Sequence, residues 1–122
     1  MIAVAVGLAG AVGALLRHGI GVFVGSTTWP WPTLGINVLG SFLLALVATW
    51  GAGRWPGVVT TAVGTGLLGA FTTYSTFSLQ TVTLVRDGRL GAAGAYVLAS
   101  VVLGIGAAAA GLLLGALLLD GE

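Results

Sequence analysis

A chain of 122 residues with only four basic and three acidic side chains cannot cover a water-facing surface. Soluble domains ordinarily devote about a quarter of their residues to charge. Here the charged fraction is 6%, the hydrophobic fraction is 57%, and the mean hydropathy is +1.12. The bilayer is the solvent that suits such a chain. A helical span needs about 20 mostly apolar residues, so four spans use most of the length and leave short turns. No room remains for a soluble catalytic domain. The expectation is a single all-α integral membrane domain over residues 1–122. A bundle this small encloses little interior, which points to a second subunit for any pore.

The apolar stretches run over residues 2–24, 33–52, 58–85 and 90–119. The turn at 25–32 places Trp29 and Trp31 where an aromatic belt sits, and the turn at 53–57 does the same with Trp55. The third turn is Arg86-Asp87-Gly88-Arg89, and the last residues are Asp120-Gly121-Glu122. Pro32 suits the first turn of a helix. The first cation is Arg17, a pattern unlike a cleaved secretory signal. With no Cys there is no disulfide, and a net charge of +1 gives no reason to expect a nucleic-acid partner. The glycines, including Gly21 with Gly25 and Gly111 with Gly115 at GxxxG spacing, let helix backbones approach closely in lipid. Four spans put both termini beside Arg54, with Arg86 and Arg89 opposite and Arg17 near that far end of the first span. The positive-inside rule then favours outside termini only slightly. A chain so poorly biased inserts either way, or serves as one member of an oppositely oriented pair.

The polar residues inside the spans carry the functional signal. Arg17 shares a face with Gly10, Gly13, Ala14 and Gly21. It either points into the bundle or snorkels to headgroups. Either way it is a fixed positive charge near one surface that gathers anions. His18 beside it reads as an interfacial polar residue rather than a ligand. Thr33, Asn37 and Ser41 recur every fourth residue, an alignment that suits a lined pathway or interhelical hydrogen bonds. In the third stretch, Gly64, Gly66 and Gly69 precede the hydroxyl-rich run Thr72-Thr73-Tyr74-Ser75-Thr76-Phe77-Ser78. Non-helical backbone at membrane depth is tolerated only within protein or beside a water-filled cavity, and the composition predicts a helix break between Gly69 and Tyr74. Half-helix ends created by a break can bind ions. The competing reading is a continuous helix whose hydroxyls bond back to the preceding turn. Tyr74 and Phe77, three apart, either pack or turn partly positive ring edges towards a pore. Tyr96, Ser100 and Gly104 repeat the fourth-residue spacing in the last span.

What the spans lack narrows the function further. No Asp or Glu lies inside them, so proton-coupled transport has no carboxylate to use. No cluster suits a transition metal, and no nucleophile with its base exists. Hydrogen-bond donors plus one cation suit a small anion.

Three segments in order, 7–17 (GLAGAVGALLR), 33–44 (TLGINVLGSFLL) and 69–78 (GAFTTYSTFS), resemble the Fluc/CrcB family of fluoride channels over almost the whole chain. The third is the most specific. The resemblance implies an antiparallel, dual-topology dimer with two narrow pores, in which the third helix is broken mid-membrane. It implies a structural sodium ion at the dimer centre, held by backbone carbonyls that correspond to Gly69 and Thr72. The family's pore Asn corresponds to Asn37 and its vestibule Arg to Arg17. Its pore aromatics correspond to Tyr74 and Phe77, and its polar track to Thr33, Thr76, Tyr96 and Ser100. Two positions depart from the pattern. Tyr74 stands where the family carries Phe, and Gly104 stands where a hydroxyl is frequent. The implied partners are fluoride, sodium, the lipid bilayer, and either a second copy of this chain or a paralogue. The implied activity is passive export of fluoride across the plasma membrane. A small multidrug exporter of similar size needs a membrane-embedded Glu that this chain lacks, and a purely structural membrane protein leaves the donor stripes without a purpose.

Overall fold

The computed structural model describes residues 1–121; Glu122, at the end of the terminal acidic segment, lies outside the described residues. Among the described residues the regular structure is entirely helical. Helix α1 is Ile2–Val24. Helix α2 runs over Trp31–Gly51, its last turn widened to π geometry over Val47–Gly51. Helix α3 covers residues 57–71 and is π-helical over Ala62–Leu68. Helix α4 is Tyr74–Arg86, and α5 is Leu90–Asp120.

Three helices, α1, α2 and α5, are long and apolar enough to cross a membrane, so the chain is a multi-pass membrane protein. The 21 residues of α2 span about 31 Å at 1.5 Å per residue, close to the bilayer core. Aromatic pairs flank it. Trp29 and Trp31 meet edge-on at 4.6 Å. Trp50 and Trp55 meet at 5.7 Å, with Arg54 stacked 5.2 Å from the Trp50 ring. The helix starts two residues before the expected 33–52 stretch because Pro30 takes the N-cap position and Pro32 fits the first turn.

The expected third stretch, 58–85, is not one helix of spanning length. It is divided between α3 and the 13-residue α4. Thr72 (φ −80°, ψ 158°) and Thr73 (φ −152°, ψ 115°) are both extended. Nevertheless α3 begins beside Trp55, whereas Leu84 of α4 packs in one cluster with Leu34, Ala93 and Tyr96 near Trp29. The two helices together therefore run from one end of the bundle to the other.

Close approach sets the pairing. Helix α5 lies parallel to α2: Trp29 Nε1 donates to the Ala92 carbonyl at 3.1 Å, and Gly111 and Gly115 abut Phe42 and Thr49. Helix α1 lies parallel to α3. At Gly13 an added Cβ would overlap the Leu67 carbonyl, so this position needs glycine for α1 to sit against the end of α3. Gly40 of α2 makes a similar approach to the Thr72 methyl. Both contacts fall where α3 stops.

Candidate functional site

The interruption leaves backbone groups without helical partners, and the surrounding side chains take them up. Thr72 closes α3, with its N–H and hydroxyl both donating to the Leu68 carbonyl at 3.1 and 3.0 Å. Thr73 is the N-cap of α4. Its Oγ1 accepts from Thr76 N–H at 3.2 Å and donates to Thr76 Oγ1 at 3.0 Å, the usual role of a Thr at this position. Asn37 of α2 serves the peptide of Thr73 from the side. Thr73 N–H donates to Oδ1 at 2.8 Å, and Nδ2 donates to the Thr73 carbonyl at 3.1 Å. From the other side Arg17 Nε donates to the Ala70 carbonyl at 3.2 Å. Thus Arg17 turns into the bundle and reaches the negative end of α3, where a cation is favoured.

Two cavities open from this point. The smaller, about 320 Å³, is bounded by Asn37, Ser41, Thr73, Tyr74, Phe77, Ser100 and Gly104. Ser100 Oγ is buried there without a hydrogen-bond partner among the described residues. An orphaned buried hydroxyl costs free energy unless something fills the site. One Nδ2 hydrogen of Asn37 is likewise not used by Thr73. The Ser41 hydroxyl, by contrast, donates back to the Asn37 carbonyl at 2.6 Å. The Tyr74 and Phe77 rings lie 5.8 Å apart, yet Tyr74 is 80% exposed and closes nothing by itself within one chain.

The larger cavity, about 910 Å³, holds Arg17, His18, Thr33, Thr76, Gln80, Asp87 and Arg89 among its lining residues. Its mouth is tied by Arg89, whose guanidinium donates to the Thr28 carbonyl across the two turns. Tyr96 is 0% exposed and donates to Gln80 Oε1 at 2.7 Å. It is held by Trp29 at 5.3 Å and Phe77 at 5.1 Å. Gln80 was not among the sequence candidates. Because its oxygen accepts from Tyr96, its amide donors are left for the cavity. The signal was present as Thr76, Gln80 and Thr83 at helical spacing on α4.

The expected site residues therefore fall into two groups around the end of α3. Asn37, Tyr74, Phe77 and Ser100 line the small cavity; Arg17, Thr33 and Thr76 line the large one. Tyr96 is buried and lines neither cavity; it is bonded to Gln80, which lines the large one. Among the described residues no three His, Cys, Asp or Glu side chains gather to hold a metal. The carbonyls of Gly69 and Thr72 take part in none of the backbone or side-chain bonds seen around the interruption. Free oxygens of this kind suit a hard monovalent cation, so the donor set fits the sodium that the resemblance implies.

Comparison with known proteins places this geometry in context. The family model described as "CrcB-like protein, Camphor Resistance (CrcB)" matches residues 4–112. The chain is 50% identical over 114 residues to the "Fluoride-specific ion channel FluC" of Deinococcus radiodurans, covering 89% of this chain and 90% of that one. It is 43% identical to "Fluoride-specific ion channel FluC 2" of Geobacillus kaustophilus, covering 91% and 90%. The FluC protein of Hyphomonas neptunium is 42% identical, with 88% and 89% covered.

Proposed function

The chain belongs to the CrcB-like family, and on that premise we propose that it is a fluoride-selective, passive ion channel of the cytoplasmic membrane. The observation that carries this reading is the small cavity at the end of α3. There the buried Ser100 hydroxyl has no partner among the described residues, and Asn37 keeps an amide hydrogen that Thr73 does not use. Fluoride is small, hard and strongly hydrated. It enters only where donors replace its water, and hydrogen bonds to an anion are stronger than those between neutral groups. Asn37, Ser100 and Thr76 are such donors. The ring edges of Phe77 and Tyr74 continue the path, and Arg17 gathers anions at its mouth. Thr33, Tyr96 and Gln80 hold the polar wall between mouth and cavity. Chloride is excluded by size. Flow is passive, so no coupling carboxylate is needed. The role is release of fluoride that has entered as HF.

In this reading α3 and α4 are one membrane span broken at mid-depth, which completes four spans in a single channel domain. The working unit is an antiparallel, dual-topology dimer. What supports it is the exposure of Tyr74 at the mouth of the small cavity and the weak orienting charge, Arg54 at one end of the bundle against Arg17, Arg86 and Arg89 towards the other. A second copy covers Tyr74 and closes the pore; a paralogue of similar shape is the alternative partner. The carbonyls of Gly69 and Thr72 would hold the sodium ion that the family resemblance implies, which would supply positive potential where the half-helices end. The test is purified protein in liposomes, with fluoride and chloride efflux measured together. Fast fluoride efflux with no chloride efflux is expected; equal rates, or none, would end the proposal.

A further inference from the structure

Helices α2 and α5 run side by side, and the register that brings Trp29 to Ala92 also brings Ser41 to Gly104. That register sets Asn37 level with Ser100, and all four of Asn37, Ser41, Ser100 and Gly104 line the small cavity. A Cβ built on Gly104 would lie 4.0 Å from Ser41 Oγ and meet nothing nearer. Helix α5 therefore presents no side chain to Ser41, and this half-buried hydroxyl looks onto open space. Its proton is meanwhile given to the Asn37 carbonyl at 2.6 Å. That carbonyl lies within α2, where the Ser41 N–H is its helical partner. The hydroxyl bond is thus a second one, and the proton that makes it rotates freely. Ser78, Thr81 and Thr83 on α4 bond back in the same way, but none of them lines this cavity. Thr72 does line it, with its methyl held against Gly40.

We infer that Ser41 is a further fluoride-binding residue of the small cavity, whose proton turns from the Asn37 carbonyl to the ion as the ion arrives. The inference rests on the channel reading above and adds a residue to it. No covalent bond changes; the O–H turns about the Cβ–Oγ axis. A hydrogen bond to an anion is about twice as strong as one between neutral groups, so the exchange favours the ion. The Asn37 carbonyl keeps its helical partner and is not orphaned. When the ion moves on, the proton returns to that carbonyl. Ser100 differs in this respect, because its buried hydroxyl has no partner among the described residues. Ser41 thus holds a donor in reserve without the cost of leaving it unbonded. With Asn37 and Ser100 it makes three donors from two helices around one space, and Gly104 keeps that space open in front of it.

The test is fluoride efflux from liposomes at low fluoride concentration, with the melting temperature of each variant measured in detergent. Ser41→Ala exchanges a charge-assisted bond for none where the wild type had exchanged a neutral one, so efflux is expected to fall roughly five-fold. Its melting temperature is expected to stay at or above the parent's, since Ala is the better helix former and the Asn37 carbonyl keeps its N–H partner. Ser41→Ala with Gly104→Ser returns a hydroxyl to the same space from the opposite helix and is expected to recover most of the lost efflux. Ser41→Ala with Gly104→Ala fills the space without a donor and is expected to recover none. Wild-type efflux in Ser41→Ala overturns the inference. So does a fall in efflux that comes with an earlier melt, which marks a structural role. Failure of the Gly104→Ser pair to recover, or equal recovery by the Gly104→Ala pair, overturns it as well. A wild-type protein with no fluoride efflux removes the channel reading, and the inference with it.

Discussion

Asn37 and Thr73, 36 residues apart in sequence, exchange two hydrogen bonds: Thr73 N–H to Oδ1 at 2.8 Å and Nδ2 to the Thr73 carbonyl at 3.1 Å. The carboxamide pairs with the peptide as a neighbouring strand would. A residue that has left one helix and not yet joined the next is thereby satisfied without water. The same side chain keeps its second Nδ2 hydrogen, so holding the interruption in place and offering a donor to the small cavity are one act of one residue.

Asn37→Asp is nearly isosteric and removes both Nδ2 hydrogens, the one bonded to Thr73 and the one offered to the cavity. The carboxylate still accepts from Thr73 N–H but opposes the Thr73 carbonyl and repels an anion in the cavity. Loss of one charge-assisted hydrogen bond, about 1.5–3 kcal/mol, lowers flux by at least roughly ten-fold. Fluoride efflux from liposomes measures it. Wild-type flux in this variant would remove Asn37 from the path.

Tyr96→Phe removes the donor to Gln80 while keeping the ring that packs between Trp29 and Phe77. The Gln80 oxygen loses its partner inside the bundle, at a cost of about 1–3 kcal/mol. The expected result is a melting temperature lowered by several degrees in detergent, together with reduced fluoride conductance because the Gln80 amide is free to turn. An unchanged melt and conductance would show that Tyr96 is only a packing residue.

Gly13→Ala tests the fit of α1 against the end of α3. The new methyl meets the Leu67 carbonyl, which is backbone and cannot rotate away. Overpacking of this kind costs typically 1–3 kcal/mol. The variant should elute from size exclusion as aggregate or melt early. Gly7→Ala and Gly19→Ala, where nothing lies within 4 Å, should behave as the parent. Equal stability in all three would mean that α1 sits differently.

How far these features were legible in the sequence depended on the range of the interaction. The first span, 2–24, coincides with α1, and the last ends within a residue of α5, because hydropathy and turn residues act locally. The stripe Thr33, Asn37 and Ser41 was legible as spacing, but its partners were not. Asn37 reaches across to Thr73, and Ser41 bonds back within its own helix. Arg17 had two readings that only the position of the Ala70 carbonyl could separate. Gln80 was passed over because a single carboxamide in a helix gains meaning only when Tyr96 is found buried against it. The π-helical segments of α2 and α3 left no pattern, since the extra residue per turn follows from packing rather than from any residue type.

Dual topology can be tested without disturbing the pore, because the natural chain contains no cysteine. Gly53 lies in the turn beside Trp55, and Asp87 lies in the turn before α5, at opposite ends of the bundle. Gly53 has open space for a side chain, and the contact of Asp87 with Arg86 is exposed and contributes little. Gly53→Cys and Asp87→Cys are therefore expected to fold. Each is treated in intact cells with a membrane-impermeant maleimide, and then again after lysis. With Arg54 at one end and Arg17, Arg86 and Arg89 towards the other, the orienting bias is only two cations, and both orientations are expected. Each variant should label to about half in intact cells and completely after lysis. Full labelling of one variant and none of the other would mean a single orientation. An antiparallel pair of identical chains would then be impossible, and an oppositely inserted paralogue would have to supply the second half of the pore.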